Sequence, residues 1–142
     1  MLYGKRFDDA IANGSYRVDI HHSDGPGITF RYLDGTEVVI SGRGDEKQVG
    51  RWREETAENP TFYQVPYRCL VPRGVDNLLA AGRILDADPV AFSGVRVMVN
   101  MNQTGEAAGV AAWLALDSGG TCDSLDTDKL RKILADGGSI VI

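Results

Sequence analysis

The stretch from Tyr63 to Leu116, YQVPYRCLVPRGVDNLLAAGRILDADPVAFSGVRVMVNMNQTGEAAGVAAWLAL, decides the fold. Phe62 to Val71 sets aromatic and β-branched residues around Pro66. Proline cannot donate to a ladder, so this segment is expected as an edge strand or extended piece. Val75–Ala81 (VDNLLAA) is expected as a short apolar strand closed by Gly82. A polar loop follows, and from Asn102 to Leu116 the pattern is helical, with Ala107, Ala108, Val110, Ala111, Trp113, Leu114 and Leu116 leaving little polar surface. A helix apolar nearly all round is expected to be buried on most sides. Gly105 and Gly109, four apart, make one of its faces almost smooth. Ser118-Gly119-Gly120 stops it. A last helix runs from Asp126 or Thr127 to Gly137 with Leu130, Ile133 and Leu134 on one face, and the final SIVI could add a strand.

Outward from that stretch, toward the N-terminus, the period changes. Ser15–Ile20 (SYRVDI) alternates apolar and polar residues, Asp24-Gly25-Pro26-Gly27 marks a turn, ITFRYL alternates again, Asp34-Gly35 marks a second turn, and EVVIS follows. Three short strands joined by tight turns predict an antiparallel meander. Tyr3–Ala12 reads as a short helix or the tail of a longer one, broken at Asn13-Gly14. Gly42–Glu58 reads as a loop leading into a short exposed helix, with Arg51-Trp52-Arg53-Glu54-Glu55 its solvated face, ended by Asn59-Pro60. The class is therefore α+β: a meander followed by a terminal strand and helices.

Composition narrows the function classes. The 142 residues suffice for one domain with a core. A net charge of −5 argues against nucleic-acid partners, which leave a basic footprint. The longest nearly apolar run, Ala107–Leu116, is far too short to cross a bilayer. No basic segment followed by an apolar one opens the chain, and Cys69 and Cys122 stand far apart without metal-ligand spacing, so a cytoplasmic location is the expectation and no metal site is. No G-x-S-x-G, Cys–His arrangement or P-loop is present to support hydrolase or nucleotidase chemistry.

Two constellations carry chemistry. Gly82-Arg83 ends the expected strand, and the helix near Gly105 begins with few side chains in the way. Unpaired N–H groups at a helix start suit the electron-rich edge of a flavin ring; close helix–strand packing explains the same small residues equally well. Asp19-Ile20-His21-His22 is the one histidine cluster, and on a strand Asp19 and His21 share a face while His22 points away. Asp19 could orient His21 as an acid or base, or the histidines could simply be half-exposed at a strand end. Arg68 and Arg96 could grip an anion or pair with a carboxylate.

The order of motifs adds to this. Val65-Pro66-Tyr67-Arg68-Cys69-Leu70-Val71-Pro72, then Asn77-Leu78-Leu79-Ala80-Ala81-Gly82-Arg83, then Arg96-Val97-Met98, then Gly105-Glu106-Ala107-Ala108-Gly109-Val110-Ala111-Ala112 resembles the C-terminal signature of the FAD-dependent oxidoreductases. The DTDKLRKIL segment is similar to that family's closing helix, and its members tend to show S-Y-x-x-D-x-H where this chain has Ser15 to His21. The resemblance implies that residues 1–62 are an antiparallel substrate-domain segment and that residues 63–142 are the C-terminal part of an incomplete FAD-binding α/β domain. It implies Gly82, Arg83 and Arg96 beside the cofactor, backbone N–H groups of Gln103, Thr104 and Gly105 offered to it, and His21 and Asp19 toward a small-molecule substrate.

Two departures limit it. Relatives often carry A-T-H-x-A-H-G-S where this chain has Asp86-Ala87-Asp88-Pro89-Val90-Ala91-Phe92-Ser93-Gly94, which puts any chemistry of those histidines in doubt. The G-x-G-x-x-G that seats the FAD pyrophosphate is absent; Gly42-Arg43-Gly44-Asp45-Glu46-Lys47 mimics only its beginning. The expectation is a C-terminal fragment of such an enzyme, inactive alone, whose FAD site needs an N-terminal half. The alternative is a non-catalytic interaction or oligomerisation protein derived from that fragment. Either way a homo-oligomer is expected, because the smooth apolar helix wants a cover.

Overall fold

A computed structural model describes residues 1–42 and 46–142. Its strands are β1 Ala10–Gly14, β2 Val18–His21, β3 Gly27–Arg31, β4 Thr36–Ser41, β5 Glu46–Arg51 and β6 Tyr63–Pro66, and its helices are α1 Pro89–Val95, α2 Met98–Ser118 and α3 Thr127–Asp136. They form the expected α+β arrangement. β2-β3-β4-β5 is an antiparallel meander, and β1-β6 is a separate antiparallel pair joining the first residues to the second half of the chain.

The meander turns where the sequence places them. Asp34 accepts a hydrogen bond from the Thr36 N–H at 2.8 Å, closing the β3–β4 turn, and that bond leads the causes that lower the Asp34 carboxyl pKa. Beyond β4 the expected loop and helix are replaced by β5, which pairs with β4 from Thr36↔Arg51 to Ser41↔Glu46. The sequence EKQVGR has little strand propensity, and the open edge of β4 overrides it. Arg43, Gly44 and Asp45 of that expected loop, and of the partial glycine motif, lie outside the described residues. No helix forms over 46–58 either; Trp52 instead donates its Nε1–H to the Tyr32 carbonyl at 2.8 Å.

The expected N-terminal helix is also a strand. Ala10, Ile11, Ala12 and Gly14 are buried in β1, paired to β6 on one side and packed by α2. Such small residues fit where a strand is covered on both faces. Gly14 is required there: an added Cβ would strike the Tyr63 ring and come within 2.8 Å of Asn100 Oδ1.

Residues 75–81 do not form the expected strand. The Ala80 N–H finds the Leu70 carbonyl at 2.7 Å, but no strand among the described residues lies alongside to make a ladder, and Leu78 stays half exposed. The Ser139–Ile142 tail likewise has no ladder; it is held by side-chain amides, Asn13 Nδ2 donating to the Ile140 carbonyl and Gln64 Nε2 to that of Ile142.

One apolar core fills the space between β1-β6 and the helices: Tyr63, Val65, Leu70, Ala107, Ala111, Leu114, Leu130 and Leu134 are its centre. α2 begins four residues before the expected start and contributes one face to this core. Its outer face, including Met98, Gly105, Gly109, Trp113 and Leu116, is exposed, so the helix is not buried on most sides. α1 falls in the expected polar loop. Its signal is legible in Asp88-Pro89, since Asp88 caps the Val90 and Ala91 N–H groups at 2.9 Å and proline occupies the first helical position.

Candidate functional site

The bend between α1 and α2 meets the rim of the meander, and there several sequence-predicted residues come together. Arg96 caps the end of α1 and sends its Nη2 to the Asp19 carboxylate of β2 at 2.8 Å. The Arg96 carbonyl accepts from Arg83 Nε at 3.1 Å, and Arg83 follows Gly82 directly. Gly82 has φ of +76°, a left-handed conformation that glycine adopts freely, and nothing lies within 4 Å of where its Cβ would be. Asp19, Arg96, Arg83 and Gly82 thus form one connected line from the meander to the chain entering α1.

Beneath this line sits a buried polar cluster that the sequence did not announce. The Tyr63 hydroxyl donates to the Gly94 carbonyl at 2.8 Å, and Asn100 Nδ2 donates to the same carbonyl at 3.2 Å and to the Tyr63 oxygen at 3.1 Å. Asn100 and Tyr63 are fully buried, so the cluster fixes where α1 ends and therefore where Arg96 points. Burial also raises the Tyr63 pKa, keeping the hydroxyl neutral and able to donate. A lone Asn in a polar run gives no such signal in the sequence.

The other predicted residues sit on β2 and α2. His21 ends β2, exposed, on the same face as Asp19, while His22 turns away and its Nε2 meets Thr29 Oγ1 at 2.9 Å. Gln103 clamps Asn13, its Oε1 accepting from the Asn13 N–H and its Nε2 donating to the Asn13 carbonyl, both at 3.0 Å. Thr104 is fully buried and bonds back to the Met101 carbonyl at 3.0 Å; Gly105 is exposed with open space above it. Because α2 starts at Met98, these three lie in its second turn, where N–H groups enter the helical ladder. The first-turn N–H groups belong to Met98, Val99 and Asn100, and Val97 before them offers no side-chain cap.

Other groups are engaged elsewhere. Arg68 forms an ion pair with Asp9 on the far side of β6. Burial first, and Asp9 second, push the Cys69 thiol pKa up, so it is a poor nucleophile at neutral pH. No cluster of metal-ligating side chains exists among the described residues, and no helix is long and apolar enough to cross a membrane.

These donors fit one edge of a flavin: an uncapped helix start, an open left-handed glycine and an arginine within one bend. They do not fit a whole dinucleotide, because no glycine-rich turn is present in the sequence to seat a pyrophosphate. No curated protein and no solved structure matches the chain. A family model described as FAD dependent oxidoreductase matches residues 1–134, nearly the whole length, and the chain therefore belongs to the FAD-dependent oxidoreductase family.

Proposed function

We propose that this chain is the C-terminal part of an enzyme that transfers a hydride between an organic substrate and FAD, and that it is inactive alone. In the complete protein FAD supplies the hydride acceptor or donor. Gly82, Arg83 and Arg96 line the cofactor's edge; Gln103 holds α2 against β1 so that the helix start faces it, and Thr104 and Gly105 lie beside the cofactor, Gly105 leaving room for the ring. Asp19 and His21 face the substrate. His21 moves the proton that accompanies hydride transfer, and Arg96 holds the Asp19 carboxylate in place on the same strand face.

The observation that carries this reading is the outer face of α2. Asn102, Gly105, Gly109, Ala112, Trp113 and Leu116 follow helical spacing, all exposed and all uncharged. The chain exposes 8526 Å². That is about 1,300 Å² more than a compact monomer of 15.4 kDa shows, and more than the ~800 Å² each partner contributes to an ordinary interface. A half that carries the glycine-rich turn is the cover that also completes the cofactor site.

Gly105→Val in the complete polypeptide tests it. Nothing lies within 4 Å of the new Cβ, so the substitution leaves this chain's own packing alone. The expected result is loss of bound flavin with the fold intact by circular dichroism. Undiminished flavin absorbance overturns the assignment. The same exposed face supports a second reading, a homo-oligomer without catalysis. Light scattering on the chain by itself decides that point: a monomer at high concentration removes it.

A further inference from the structure

Among the described residues, Arg17 is the one half-buried arginine without an ion pair or a hydrogen-bond acceptor. Arg31 is paired to Glu37 at 2.7 Å and Arg96 to Asp19 at 2.8 Å, Arg53 donates to the Leu33 carbonyl at 2.7 Å, and Arg131 donates to that of Ala10 at 2.6 Å. The Arg17 guanidinium instead lies over aromatic rings, its Cζ 4.2 Å from the centre of Phe30, 5.6 Å from Tyr16 and 6.0 Å from Tyr32. Its Nε is shut off from solvent with no partner. The terminal nitrogens also lack an acceptor, but they are not sealed in.

Stacking holds the plane of a guanidinium while leaving its fork free, which is how arginine is prepared for a planar anion. An internal acceptor is close but engaged. Asp19 lies opposite Phe30 in register, on the face where Arg17 stacks, yet Asp19 bonds Arg96. The same sheet face continues as a row of apolar side chains, since Phe30 pairs with Val38 and Val38 with Val49. None of the three is buried, and Val49 is 67% exposed. A cation with a free fork thus stands at the head of an uncovered apolar floor, on the face that carries Asp19 and His21.

We propose that Arg17 and the Phe30–Val38–Val49 row bind a carboxylate carried on an apolar body, and that the substrate of the complete enzyme is an organic monocarboxylate of this kind. The second half rests on the reading of Asp19 and His21 as substrate-facing. A single arginine matches one carboxylate bidentately; the other cations of this face, Lys47 and Arg51, stand three strands away on β5, and Arg96 is already neutralised by Asp19. The body lies across β3, β4 and β5, and its functional group reaches toward the Asp19–His21 rim.

The test is a titration of the 142-residue chain, labelled with nitrogen-15, with benzoate, benzamide and inorganic phosphate. The Arg17 Nε–H, shielded from water, gives its own resonance. Benzoate is expected to shift it saturably with a Kd of about a millimolar or tighter, while neutral benzamide leaves it in place. In Arg17→Gln the backbone amides of Val18 and Phe30 should no longer respond to benzoate. A resonance that benzoate leaves unmoved, or moves no more than benzamide does, overturns the site. Phosphate binding as tightly as benzoate overturns the apolar body and with it the substrate class. If Arg17→Gln fails to fold, the titration of the unaltered chain still decides. None of these outcomes depends on flavin, so failure here is distinguishable from failure of the Gly105→Val test.

Discussion

The two sheets of this molecule differ in what lies against them. In the β1-β6 pair nearly every residue is buried, closed in by α2 and the core around Tyr63, Leu114 and Leu130. In the meander only Val18 and Thr29 are buried, β4 is half exposed throughout, and β5 is exposed along its whole length. The first sheet is a structural element whose side chains face protein. The second is held by its own ladders and by α1 at one rim, and its faces are left for something else. The proposed substrate residues, Arg17, Asp19 and His21, all lie on the second, while the line through Arg83 and Gly82 runs off the first unit to meet it.

The largest expected effect is a contrast across that divide. Leu114 is fully buried in the core, so Leu114→Ala should cost about 2–5 kcal/mol of stability in urea denaturation. Val49→Ala, on the exposed β5, should change it by no more than ~0.5 kcal/mol. Equal losses at the two positions would mean that the meander is as much a part of the cooperative core as α2, and that its openness has been misjudged.

A smaller effect comes from pH. Tyr67 follows β6, is buried, and donates its hydroxyl to the Cys122 carbonyl at 2.7 Å. Burial, with lesser contributions from Cys122 and Asp123, pushes its pKa from 10.0 up to about 12. The folded state therefore holds this proton at pH values where the unfolded chain has lost it. Its contribution is intact below pH ~10 and lost as pH rises toward ~12, a decline of at most about 2.7 kcal/mol, reduced by solvent screening of a ring that is not wholly enclosed. Denaturation measured across that window should steepen with pH in the parent and flatten in Tyr67→Phe. Identical slopes would place Tyr67 outside the closed core.

How much of this was legible in the sequence follows the same divide. Tight turns are local, so Asp24-Gly25-Pro26-Gly27 and Asp34-Gly35 located β2, β3 and β4 from the residues alone. Helix stops are local as well: Gly119, with φ of +66°, ends α2 where the glycines predicted. What the sequence misplaced depends on partners. β1 and β5 look like poor strands and are made strands by β6 and β4; residues 75–81 look like a strand and have no neighbour to pair with among the described residues. At the site, Asp19 and Arg96 could each be picked out by residue type, but their ion pair spans 77 positions and no local pattern announces it. Arg17 carries no local signal for the same reason, because its stacking on Phe30 exists only once β2 and β3 are paired.

A smaller effect on stability than that of Tyr67 is expected at the point where the two regions touch. The Asp19–Arg96 pair is partly exposed, with side chains 16% and 34% accessible, so solvent screens much of its attraction. Asp19→Asn keeps an oxygen for Arg96 and removes only the charge. It should lower stability by less than ~1 kcal/mol, a shift of a few degrees in Tm. In the complete enzyme the same change should lower kcat through loss of the carboxylate beside His21, with the bound flavin unchanged. That separation is the sharpest form of the contrast: a residue nearly silent in stability and loud in turnover belongs to a surface built for a ligand. If Asp19→Asn instead lowers Tm as much as a core truncation and leaves turnover intact, the pair is a structural clasp between β2 and α1, and the meander's open face is not where the chemistry happens.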